Sequence, residues 1–168
     1  MARVVLVGLP GTGKTTVGRA LALALGEDFV DTDEVFEELE EESVPDFLRH
    51  HGEAHFRQCE IRALATALTR GDVVATGGGV VTSPEARETL RGQFTVWLDC
   101  RDEAILDRVG EGDRPLLGDR PQERLARLRQ EREEWYRQVS QRRVDAERSV
   151  SDIVGELLEV VSSNGARS

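Results

Sequence analysis

Near the start of the chain stands Gly8-Leu9-Pro10-Gly11-Thr12-Gly13-Lys14-Thr15, which fits the pattern G-x-x-x-x-G-K-[ST]. The apolar run Val4-Val5-Leu6-Val7 precedes it, and Val17, Leu21 and Leu25 follow at the spacing of one helical face. Strand, glycine-rich loop, then helix is the context that a phosphate-binding loop requires. The glycines let the backbone wrap a polyphosphate with several N–H groups pointing inward. The helix behind them adds the positive end of its dipole. Lys14 can reach the outer phosphates, and the Thr15 hydroxyl can ligate Mg²⁺. A glycine-rich turn that binds nothing is the alternative, and the full fit to the motif speaks against it.

Lys14 is the only lysine in 168 residues; every other basic residue is an arginine. A task that suits a compact ammonium rather than a flat guanidinium accounts for this placement. The chain has the length of one domain with a substantial core. Its formal net charge of −10 argues against broad binding to nucleic acid or membrane surfaces. Anionic ligands therefore need local basic pockets. No stretch reads as a signal peptide or membrane span. Cys59 and Cys100 have no metal or redox spacing. The expected setting is a reduced, cytoplasmic one, and the expected state a monomer.

Strand and helix patterns alternate along the chain. Residues 3–7, 28–31, 72–75, 94–98 and 142–145 read as short strands, with helical patterns between them. Alternation of this kind predicts an α/β layer fold around a parallel sheet. Ligands of such sheets lie at the carboxyl ends of the strands, so the loops after strands carry the most information.

After the second strand comes Asp31-Thr32-Asp33. Carboxylates there can hold Mg²⁺ waters or orient a hydroxyl acceptor; alternatively Thr32 or Asp33 caps the next helix. Residues 37–42 read as a solvated acidic helix face and its frayed end, and Pro45 restarts the chain. In the next helical pattern Arg57 and Glu60 are three apart, so the carboxylate can brace the guanidinium. His50, His51 and His55 have no accompanying ligand pattern that would argue for a metal. The run Thr76-Gly77-Gly78-Gly79 ends the third strand and allows a ligand close to backbone. Residues 110–119 have glycine at both ends and read as a flap whose Arg114 can close over phosphate. In the helix of about 121–141, Arg132 falls on the apolar face of Leu125, Leu128, Trp135 and Val139. A charge there needs a partner, either a protein carboxylate or an anionic substrate. The tail from 162 to 168 is expected to be disordered.

Taken together, these motifs resemble those of shikimate kinase, a member of the nucleoside-monophosphate-kinase-like P-loop family. The resemblance covers about residues 3–160. It rests on Gly8–Thr15, Asp31-Thr32-Asp33, G-E-x-x-F-R-x-x-E at 52–60, Thr76–Gly79, Arg114-Pro115-Leu116-Leu117, and Glu131-Arg132 with Tyr136. It implies a single three-layer α/β kinase domain over 1–168, whose five-stranded parallel sheet has order 2-3-1-4-5 and is flanked by helices. A substrate-binding helical segment over 33–61 and a lid over 110–120 belong to the same implication. The implied reaction transfers the ATP γ-phosphate to the 3-hydroxyl of shikimate, with Mg²⁺, in aromatic amino-acid biosynthesis. The implied nucleotide contacts are Gly11, Thr12, Gly13, Lys14, Thr15, Thr16, Arg114 and Arg148. For shikimate they are Asp33, Arg57, Gly77, Gly78, Gly79 and Arg132, with Glu60 bracing Arg57. Lys14, Asp33 and Arg114 are the implied catalytic set, with Thr15 on the metal and Asp31 on its waters. Glu134-Trp135 stands where the family usually has Pro-Leu. A sister kinase acting on gluconate, or a nucleotide-gated binding protein without small-molecule chemistry, are the competing readings.

Overall fold

Four consecutive apolar residues with no polar neighbour suit a strand covered on both faces. Val4–Val7 is such a strand, β1, and all four side chains are fully buried. The structure, a computed structural model, describes residues 2–109 and 117–165. Along the chain β1 is followed by α1 (Lys14–Leu25), β2 (Phe29–Asp31), α2 (Thr32–Glu40), α3 (Val44–His51) and α4 (Glu53–Arg70). Then come β3 (Val73–Ala75), a 3₁₀ turn (Val80–Thr82), α5 (Pro84–Arg91), β4 (Thr95–Asp99) and α6 (Asp102–Arg108). The order closes with α7 (Pro121–Val139), β5 (Arg142–Asp145) and α8 (Val150–Gly165).

The strands form one parallel sheet in the order β2-β3-β1-β4-β5, flanked by helices. β1 lies at its centre, with Val5 in register with Val74 on one side and Thr95 on the other. Parallel pairing puts all five carboxyl ends on one edge, so the loops after β1, β2 and β3 emerge side by side. The five strand positions read from sequence agree with those observed to within a residue or two at each end.

Three differences have physical reasons. The residue that caps α2 is Asp31, whose Oδ1 accepts from Asp33 N at 2.8 Å, so neither Thr32 nor Asp33 has that duty. The acidic run does end α2, at Glu40, with Glu41 in the left-handed region at φ 55°. Glu42, however, is engaged: it meets the rings of His50 and His51 and ties the α2–α3 turn to the end of α3. α8 continues to Gly165, past the expected start of the tail, because Ile153, Val154, Leu157 and Val161 bury one continuous face. The expected flap over 110–120 lies mostly outside the described residues; only 117–120 are described, leading into Pro121 at the first position of α7.

Candidate active site

The loop after β1 has Gly8, Gly11 and Gly13 at positive φ, and a Cβ on Gly8 would sit 2.4 Å from the Leu98 carbonyl oxygen. Only glycine fits that approach of the loop to β4. Gly13 then hands the chain to α1, whose first residue is Lys14. Lys14 Nζ donates to the carbonyls of Gly8 and Leu9, each at 2.8 Å, and so holds the loop closed around itself. Burial lowers its pKa to about 8, against the opposing pull of Asp33 and Asp31. Thr15 Oγ1 donates to Asp31 Oδ2 at 2.9 Å. One carboxylate thus caps α2 with one oxygen and meets the first helix with the other.

Asp33 stands on the first turn of α2, free of capping. Burial, with Asp31 and Glu60 adding to it, pushes its carboxyl up to about 6. The missing Cβ of Gly77 makes room for it: a Cβ there would lie 3.0 Å from Asp33 Oδ1 and 3.3 Å from Glu60 Oε1. Glu60 is itself buried, which raises its pKa, and accepts from Arg57 Nη1 at 2.8 Å. Gly79 is filled on its open side by the Arg57 guanidinium, 2.4 Å from where a Cβ would stand. Gly78 packs against the Pro10 ring, so the third loop touches the first.

Arg132 is 8% exposed on the packed face of α7, beside Leu125, Leu128 and Tyr136. Among the described residues no carboxylate pairs with it, and its Nε is buried without a hydrogen-bond partner. Arg57 Nε is in the same condition. Two buried guanidinium groups with unmatched donors, on one side of an acidic pair, form a receptor for an anion.

A family profile described as shikimate kinase matches residues 10–162. The chain belongs to the shikimate kinase family. The shikimate kinase of Symbiobacterium thermophilum is 44% identical, with 98% of each chain aligned. That of Corynebacterium diphtheriae is 40% identical over 92% of this chain and 91% of its own. Among solved structures, a shikimate kinase from Acinetobacter baumannii in complex with shikimate superposes with a TM-score of 0.89 at 34% identity. It covers 96% of this chain and 93% of that one. A gluconokinase from Sinorhizobium meliloti has a TM-score of 0.63 at 18% identity over 99% of this chain and 94% of its own, a likeness of fold alone.

In this member of the shikimate kinase family, Lys14, Thr15, Asp31, Asp33, Arg57, Gly77–Gly79 and Arg132 form one connected set. Arg148 is occupied elsewhere: it pairs with Glu156 and donates from Nε to the Asp145 carbonyl at 3.2 Å. Arg114 lies outside the described residues. Sequence reasoning missed Arg108, at the end of α6, which donates from Nη1 to the Thr12 carbonyl at 3.2 Å and from Nη2 to that of Ala146. It joins the phosphate loop to the loop after β5, and no local spacing announces it. A cavity of about 530 Å³ lies apart from this set, lined by Asp99, Arg101, Arg129 and Arg143 among others. Its arginines are already engaged: Arg129 and Arg143 with Asp99, Arg101 with Glu147.

Proposed function

We propose that this chain transfers the γ-phosphate of ATP to the 3-hydroxyl of shikimate, giving shikimate 3-phosphate and ADP. The observation that carries the reading is Arg132: a buried guanidinium on an apolar helix face, with no carboxylate partner among the described residues. Leaving such a charge unpaired is costly unless a ligand completes it. Shikimate is a carboxylic acid, and Arg132 and Arg57 offer it forked donors.

Phosphoryl transfer asks little covalent chemistry of a protein; it asks for positioning and charge neutralisation. The phosphate loop would hold the β- and γ-phosphates against Gly11, Thr12, Gly13, Thr15 and Thr16, with the Lys14 ammonium on the outer oxygens. The base would lie toward the loop after β5, where Arg108 and Arg148 stand. Asp33, at the edge of Gly77, would orient the acceptor hydroxyl and take its proton, a role that a carboxyl of raised basicity suits. Gly78 and Gly79 would let the ring lie close to backbone. Arg114 would close over the transferred phosphate. Glu60 fixes Arg57, so the carboxylate receptor is set before substrate arrives.

The Thr15 hydroxyl and the Asp31 carboxylate are hard oxygen donors in direct contact, a set that fits Mg²⁺ held by few protein ligands plus phosphate and water. Bound there, the ion would neutralise charge between the β- and γ-phosphates. Among the described residues no helix is long and apolar enough to cross a membrane, in keeping with a cytoplasmic monomer. A coupled ADP-release assay tests the reading. ADP release with Mg²⁺-ATP should depend on shikimate and not on gluconate; release indifferent to shikimate sinks it.

A further inference from the structure

Tyr136 lies one turn beyond Arg132 on α7 and is the only tyrosine in the chain. Its ring is 1% exposed and stacks on Trp97 of β4, with centroids 6.0 Å apart. Its hydroxyl donates to the Gly78 carbonyl. A phenol has one proton to give. With that proton committed to Gly78, the oxygen keeps only acceptor sites, and Arg132 donates to it. One buried oxygen therefore joins the glycine run after β3 to the unpaired guanidinium on α7.

The chemistry of this acceptor matters. A carboxylate in its place would hold Arg132 equally well but would cancel the charge that an incoming acid needs. Glu60 does this in part for Arg57. A phenol accepts and stays neutral; burial pushes the Tyr136 hydroxyl up to about 12, so it does not ionise near pH 7. We propose that Tyr136 is a positioning residue: its hydroxyl aims Arg132 at the substrate carboxylate without neutralising it, and through the same oxygen locks the Gly78 carbonyl beside the substrate ring. This rests on the acid-substrate reading above.

Calorimetric titration of shikimate into the wild type, Tyr136→Phe, Arg132→Ala and the double variant tests it. Tyr136→Phe removes one oxygen and leaves the stack on Trp97. The variant should bind shikimate about tenfold more weakly, the scale of a hydrogen bond to a charged group. Affinity for Mg²⁺-ATP should hold. In the Arg132→Ala background the same change should cost less than about twofold, as expected of two residues acting through one contact. An equal loss in both backgrounds, or none in either, overturns the proposal. A second readout needs no variant: 3-fluorotyrosine labels this chain at one position only. Its fluorine-19 resonance should move when shikimate binds, and a resonance that stays put in protein that binds shikimate also overturns it. A wild type that neither binds shikimate nor releases ADP with it removes the substrate reading, and the proposal with it.

Discussion

At the scale of single residues, the site keeps groups in states that folding alone disfavours. Asp33 is the clearest case. Its carboxyl is raised from 3.8 to about 6, chiefly by burial. A carboxyl that holds its proton more tightly when folded makes the fold less stable as pH rises from about 4 to about 6, and that loss is complete at neutral pH. Asp33→Asn should therefore raise the melting temperature of the unliganded protein at pH 7. The same change should lower kcat by about 10²–10⁴-fold, the range of a lost general base. In the wild type, kcat/KM for shikimate should fall as pH drops below about 6, as Asp33 takes up its proton. Unchanged kcat in the variant, or a flat profile down to pH 5, would count against Asp33 as base. Arg132 follows the same logic with opposite charge. Arg132→Ala should leave unliganded stability unchanged or improved, while shikimate binding loses about 2–5 kcal/mol. A large fall in melting temperature with full shikimate affinity would instead mean that a protein group completes the charge. The anomaly at position 132 is legible in sequence because helical periodicity makes one charge on an apolar face stand out. Arg108 is not legible, because its two acceptors, Thr12 and Ala146, are brought to it only by the sheet order.

At the scale of elements, strands and helices follow from periodicity, and the structure adds the reasons for the loops. Three glycines at the end of β3 read in sequence as one ligand-contacting run. In the fold they do three separate jobs, each set by a different neighbour: Asp33 and Glu60 at Gly77, Pro10 at Gly78, Arg57 at Gly79. Sequence could not divide them, since the neighbours come from β1, α2 and α4. Two substitutions separate the jobs. A Cβ on Gly79 meets only the far end of the flexible Arg57 side chain, and the backbone φ of −93° accepts alanine. Gly79→Ala should therefore cost little stability and much shikimate affinity, because it pushes the guanidinium out of place. A Cβ on Gly78 meets the rigid Pro10 ring at 2.7 Å and the Pro10 backbone nitrogen at 3.1 Å. Gly78→Ala should destabilise the protein by about 1–3 kcal/mol, the usual cost of overpacking, and disturb the phosphate loop as well. Paired thermal melts and shikimate titrations check both; equal melting losses in the two variants would contradict this division of labour. The acidic run at 37–42 teaches a similar lesson. Its solvated appearance was fair for a helix face, but Glu42 finds two histidines that only the α2–α3 turn brings within reach.

At the scale of the whole molecule, an acidic protein has to receive two anionic substrates. The formal net charge is −10, so the basic groups that meet them must be few and local. The chain has two primary amines, the N-terminus and Lys14, since every other basic side chain is an arginine. That count turns intact mass into a single-site probe of the phosphate loop. Lys14 is buried, and its lowered pKa of about 8 leaves a sizeable neutral fraction at pH 8. A small amine-selective reagent should then add slowly at a second position beyond the N-terminus. Bound Mg²⁺-ATP acts twice: it covers Nζ, and its negative charge raises the Lys14 pKa and removes the reactive neutral form. Labelling of Lys14 should slow by more than about tenfold, while labelling of the N-terminus keeps its rate. The linkage runs the other way too. Because phosphate favours the charged ammonium, affinity for Mg²⁺-ATP should be highest below the unliganded pKa and decline as pH rises through about 8. Calorimetry in buffers of different ionisation enthalpy should show proton uptake on ATP binding at pH 8.5. Lys14 labelled at the same rate with and without ATP, together with no proton uptake, would place the nucleotide somewhere other than the loop after β1.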